Sequence, residues 1–141
     1  MADILVVEDS DSSRMLFGKL FTLGGHNVTP CEDFTQAQQA LCGRTSPFAA
    51  IVTDWNYPGI VDVASGVADA VSGGANLLNF LDKNPAHRPQ HLLVGSDEEA
   101  AGAIKSWAHI TPKPEVYVKG HLPGQFNDAI KKLSTKLKLT P

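Results

Sequence analysis

Short unbroken apolar runs closed by charged residues alternate along the chain with stretches whose apolar residues recur at helical spacing. Ile4-Leu5-Val6-Val7 is the first such run and ends in Glu8-Asp9. Continuous apolarity over so few residues predicts a strand buried on both faces. Asp11 can cap a following helix whose apolar positions Met15, Leu16, Leu20 and Leu23 share a face, and Gly24-Gly25 supplies its stop. Residues 27 to 31 predict a second strand, and Asp33 opens a second helix in which Ala37, Ala40 and Leu41 lie on one side. Phe48-Ala-Ala-Ile-Val-Thr53 repeats the pattern of the first strand and again ends in an acid, Asp54. Ala75 to Lys83 predicts a third helix, closed by Asn84-Pro85, and His91 to Val94 a fourth strand. Ser96-Asp-Glu-Glu99 has the form of a capping box, with a hydroxyl at the cap and Glu three residues on, and starts a helix running to about Trp107. Ile110 to Pro114 predicts a stiff extended linker into a fifth strand, Val116 to Val118, which ends in Lys119. Phe126, Ile130, Leu133 and Leu137 form the stripe of a closing helix.

Strict alternation of strand and helix implies an α/β fold, because parallel strands need crossover connections, and the helices then cover both faces of a doubly wound sheet. Ligands in such sheets bind beyond the carboxyl ends of the strands. Glu8-Asp9, Asp54 and Lys119 all fall at that kind of edge. At 141 residues the expectation is one domain over 1–141.

The hydrophobic fraction of 43% and the charged fraction of 19% are those of an ordinary globular protein. No run approaches the roughly 20 apolar residues that span a bilayer, and MADILVVED meets acid where a secretory signal would continue apolar, so the expected location is cytoplasmic. A net charge of −3 argues against nucleic-acid binding. Lys131, Lys132, Lys136 and Lys138 read as the solvated face of a terminal helix before they read as a docking patch. Cys31 and Cys42 are too few and too far apart for a zinc site or a disulfide framework and are expected to be reduced. His87 and His91 have i,i+4 spacing, but Pro85 and Pro89 exclude a metal-binding helix there.

The motifs ILVVED, IVTDWNYPG and YVKG, in that order and each at a strand end, resemble the receiver domain of two-component response regulators over residues 4 to about 137. The likeness is to the single-domain, chemotaxis-regulator-like kind. It implies a five-stranded parallel sheet in the flavodoxin-like order 2-1-3-4-5. It further implies a phosphoacceptor switch rather than an enzyme. Asp54 would take a phosphoryl group from the phosphohistidine of a histidine kinase or phosphotransfer protein in a phosphorelay, giving an aspartyl phosphate. A divalent cation, Mg²⁺, would be held by Glu8, Asp9, Asp54 and the backbone carbonyl of Asn56. Lys119 would contact a phosphoryl oxygen. The implied output is docking to a downstream protein, by a monomer or weak dimer with no nucleic-acid or membrane partner.

The sequence departs from the family pattern at several positions. Where relatives end the fourth strand with Thr or Ser this chain has Gly95, and Ser96 follows it. The Ser96 hydroxyl is expected first as the helix cap and second as a phosphoryl contact. Lys119 is followed by Gly120 in place of proline, and the switch aromatic three residues before the lysine is replaced by Val116. Tyr117 should face the opposite side. The Ala-, Val-, Gly- and Ser-rich segment at about 60–73 is an insertion, read equally as a tolerated loop or short helix and as a lid or docking element. These departures leave a pseudo-receiver, a protein-interaction module that does not switch by phosphorylation, as the alternative. An aspartyl-nucleophile phosphatase, with Glu8-Asp9-Ser10-Asp11 as its motif, is a distant third, and a nucleotide-binding fold lacks its Gly-rich loop.

Overall fold

The computed structural model describes residues 2–57, 72–107, 109–118 and 124–138, leaving aside the side chains of Glu98 and Glu99. Five strands, β1 (Asp3–Val7), β2 (Asn27–Cys31), β3 (Ala50–Asp54), β4 (His91–Ser96) and β5 (Glu115–Val118), pair in parallel in the order β2-β1-β3-β4-β5. The helices are α1 (Asp11–Leu23), α2 (Phe34–Cys42), α3 (Gly73–Lys83), α4 (Glu98–Ile104) and α5 (Gln125–Lys138). The expected fold class and strand order are both present.

Strand alternation divides the core in two. Ile4 and Val6 of β1, Ala50 and Val52 of β3, and Leu93 of β4 pack with Phe17 and Phe21 of α1 and with Phe126, Ile130, Leu133 and Leu137 of α5. Leu5, Val7, Ile51, Leu92 and Val94 point the other way, into Phe34, Ala37 and Leu41 of α2, Leu77, Leu78 and Leu81 of α3, and Ile104 of α4. Each inner strand buries both faces, which is why its sequence is an unbroken apolar run instead of an alternating one.

Several boundaries and faces differ from the sequence-based expectation. Ser10, one residue before Asp11, caps α1 by accepting a hydrogen bond from Ser13 N–H. The buried stripe of α1 is Phe17 and Phe21, with Leu20 partly buried, whereas Met15 (73% exposed) and Leu23 (74% exposed) face solvent. Helix α3 begins at Gly73, two residues before Ala75, so the end of the 60–73 segment belongs to the helix, while residues 58–71 lie outside the described residues. Strand β4 runs two residues beyond Val94, so Ser96 pairs with Val118 and is not the cap of α4. Asp97 is that cap: its Oδ1 accepts a hydrogen bond from Ala100 N–H at 2.7 Å. The helix ends at Ile104 and tightens into a 3-10 turn, Lys105–Trp107, which completes the expected length. The chain from Ile110 to Pro112 bends where an extended linker was expected, with a cis Thr111–Pro112 peptide, and Ile110 is buried in the core.

Candidate functional site

The carboxyl ends of β1 and β3 deliver the acids. Glu8 follows β1 directly and continues the side taken by Ile4 and Val6, while Asp54 closes β3 on the side taken by Ala50 and Val52. Both therefore project from the same side of the sheet. Glu8, Asp9 and Asp54 each offer a carboxylate oxygen lying within 4.8 Å of the others. Glu8 is buried, Asp9 exposed and Asp54 half-buried, so the cluster opens to solvent on one flank.

Two such carboxylates 4.8 Å apart repel by about 1 kcal/mol in water and about 3 kcal/mol at an effective dielectric constant near 20. Local hydrogen bonds offset part of that cost. Glu8 Oε1 accepts from Ser10 N–H at 3.1 Å, and Asp54 Oδ1 accepts from Trp55 N–H at 2.9 Å. Arg14 donates from Nη1 to the Glu8 carbonyl at 2.9 Å and pairs with Asp11, placing a guanidinium against the strand end. A small divalent cation would relieve the repulsion far more, and three hard carboxylate oxygens suit Mg²⁺ or Mn²⁺.

The loop after Asp54 is fixed from both sides. Trp55 N–H also bonds the Gly95 carbonyl of β4 at 2.9 Å. The start of α3 closes over the loop: Ser72 Oγ and Gly74 N–H both donate to the Trp55 carbonyl, and Gly73 N–H donates to the Tyr57 carbonyl at 2.8 Å. Gly74 is required for this close approach, because a Cβ there would lie 2.8 Å from Trp55 Cα. Beneath the loop, Thr53 Oγ1 donates to Tyr57 Oη at 3.0 Å, and burial pushes the Tyr57 phenol above its ordinary pKa of 10.0. Burial likewise pushes the Cys31 thiol, at the adjoining end of β2, up to about 11, so this cysteine is protonated and unreactive at neutral pH.

The neighbouring strand ends carry four of the positions at which the sequence departs, Gly95, Ser96, Val116 and Tyr117. Asp54 pairs in register with Gly95, and alternation from Leu93 puts Gly95 on Asp54's side, where it presents no side chain. Ser96 turns to the side of Val94. Its hydroxyl is buried (1% exposed) and has no hydrogen-bond partner among the described residues. Val116 packs into the α2–α3–α4 side of the core and Tyr117 into the α1–α5 side against Phe126, as strand alternation requires. Asn56 extends its side-chain amide to Asp97 Oδ2 at 3.2 Å. Lys119 and Gly120 lie outside the described residues. Glu8, Asp9 and Asp54 are thus brought together as the sequence suggested, while Asn56, two residues after Asp54, turns its side chain to Asp97. Arg14, Ser72, Gly74 and Asp97 contribute to the loop or strand end without a motif that announced them.

The fold is that of response regulator receiver domains. A receiver domain from Rhodospirillum rubrum superposes with a TM-score of 0.70 at 17% identity, covering 99% of this chain and 95% of that one. The response regulator Rcp1, solved in a Mn²⁺-bound form, gives 0.71 at 16% identity over 100% of this chain and 97% of that one. The response regulator TrrA of Thermotoga maritima, solved in complex with Mg²⁺-BeF, gives 0.64 at 19% identity over 94% and 99%. No protein-family model matches the sequence, and no curated protein matches it.

Proposed function

We propose that residues 1–141 form one receiver unit of two-component signalling, a phosphoacceptor switch in which Asp54 accepts a phosphoryl group from a histidine kinase or phosphotransfer protein. The convergence of Glu8, Asp9 and Asp54 within 4.8 Å carries this reading. An Asp54 carboxylate oxygen attacks phosphorus, the phosphorus–nitrogen bond of the donor phosphohistidine breaks, and its electron pair returns to the imidazole. Glu8 and Asp9, with Asp54 and the Asn56 carbonyl, would hold Mg²⁺. The bound cation supplies the charge neutralisation that two approaching anions need. Lys119 contacts a phosphoryl oxygen. Ser96 joins it only after the end of β4 moves, since its hydroxyl starts out buried on the far side. The output is docking to another protein, in keeping with a signalling switch rather than an enzyme.

Incubating the protein with radiolabelled acetyl phosphate and Mg²⁺ tests the acceptor. Wild type should label and Asp54→Ala should not, with circular dichroism confirming that the variant is folded. Equal labelling of the two would overturn the assignment.

A pseudo-receiver is the second reading, favoured by one observation: Gly95, the residue paired with Asp54, offers no hydroxyl to a phosphoryl group. Titrating Mg²⁺ and beryllium fluoride into a Trp107→Phe variant isolates Trp55, whose N–H bonds Asp54. A saturable change in emission supports the switch, and a flat trace supports the pseudo-receiver.

A further inference from the structure

The usual route from acceptor to surface, a hydroxyl on the fourth strand beside the acceptor, has no side chain to run through at Gly95, and the Ser96 hydroxyl one residue on starts out buried on the opposite side of the sheet. A different connection leaves the acceptor loop. Backbone pairing between β3 and β4 ends at Asp54–Gly95, and two residues further along each strand Asn56 and Asp97 continue it through their side chains. Asn56 Nδ2 donates to Asp97 Oδ2 at 3.2 Å. The other oxygen of the same carboxylate, Oδ1, caps α4 by accepting from Ala100 N–H at 2.7 Å. One carboxylate therefore ties the loop that follows Asp54 to the first turn of α4.

We propose that Asp97 is the positioning residue through which the state of Asp54 reaches α4, a proposal that rests on the phosphoacceptor reading above. A phosphoryl group adds nearly two negative charges and several strong acceptor oxygens beside Asn56. Its oxygens compete for the Asn56 amide, and its charge repels the Asp97 carboxylate. The Asn56–Asp97 bond opens, and a carboxylate displaced from the loop no longer holds Ala100 N–H squarely, so the start of α4 loosens. In the resting protein the same bond keeps that turn in place.

Amide hydrogen exchange at Ala100, compared with and without Mg²⁺ and beryllium fluoride, tests this. Wild type should exchange several-fold faster at Ala100 once the phosphoryl mimic is bound. Asp97→Ser keeps a capping hydroxyl but loses the second oxygen. Asp97→Asn keeps the cap through its carbonyl and removes the charge that the phosphoryl group repels, so it serves as a second variant with the fold preserved. Both should still bind the mimic, read by Trp55 emission, and both should lose the response at Ala100. A merely structural cap would shift the baseline exchange without abolishing the response to ligand. Wild type that binds the mimic with Ala100 unchanged, or Asp97 variants that respond like wild type, would overturn this role while leaving Asp54 as acceptor. Absence of both binding and labelling in wild type would remove the phosphoacceptor reading and this inference with it.

Discussion

Single residues set the tolerances around Asp54. Gly74 sits where any Cβ would press on the Trp55 backbone at 2.8 Å, and backbone, unlike the tip of a flexible side chain, has nowhere to go. Gly74→Ala should cost about 1–3 kcal/mol, read as a lower urea midpoint at unchanged slope. At the other end of the sheet, the Arg44 guanidinium, 3.1 Å from Asp3, and the Asn27 amide hold the Asp3 carboxyl below its ordinary 3.8. A depressed acid contributes stability that is complete above the unfolded value and is lost as pH falls through the folded one. Between about pH 5 and pH 2 the urea midpoint of wild type should therefore fall more steeply than that of Asp3→Asn. Glu8, Asp9 and Asp54 were legible in the sequence because an acid ending a buried strand has a position as soon as the strand does. Asp97 was not: its bond to Asn56 spans 41 residues, and a neighbouring hydroxyl, Ser96, offered a better-looking cap.

At the level of elements, the strands and the stripe of α5 could be read directly, while α1 offered two apolar faces at helical spacing. Met15, Leu16, Leu20 and Leu23 made one face; Phe17, Leu20 and Phe21 made the other. The aromatic face is buried because Phe17 meets Phe126 of α5 edge-on, with ring centroids 5.2 Å apart. That contact joins residues from opposite ends of the chain, and no local pattern encodes it. Phe17→Ala should lower stability by about 3–5 kcal/mol, whereas Leu23→Gln should stay within about 0.5 kcal/mol, both by urea denaturation. Met15 and Leu16, on the unburied face, stay exposed to solvent. For α4 the helix was legible and its cap was displaced by one residue, because β4 keeps its pairing to β5 as far as Ser96. Asp97→Ala should cost about 1 kcal/mol through loss of the cap alone.

For the whole molecule, the order β2-β1-β3-β4-β5 makes β1 and β3 neighbours although a helix, a strand and another helix separate them in the chain. That adjacency converts two acid-ended runs, far apart in sequence, into one cluster of carboxylates at a single sheet edge. Alternation of strand and helix implied the parallel sheet, and the resemblance supplied the order of its strands. Neither indicated that Gly95 would lie in register beside Asp54, or that Asn56 and Asp97 would bond across the ends of β3 and β4. The most direct measurement is to treat the protein with acetyl phosphate, trap any aspartyl phosphate by borohydride reduction to homoserine, and locate it by peptide mass spectrometry with and without Mg²⁺. Homoserine at position 54, formed only with Mg²⁺ and suppressed in Glu8→Gln and Asp9→Asn, is the expected result. Homoserine at another aspartate, or at 54 in the absence of divalent cation, would contradict the carboxylate cluster as the source of this chemistry.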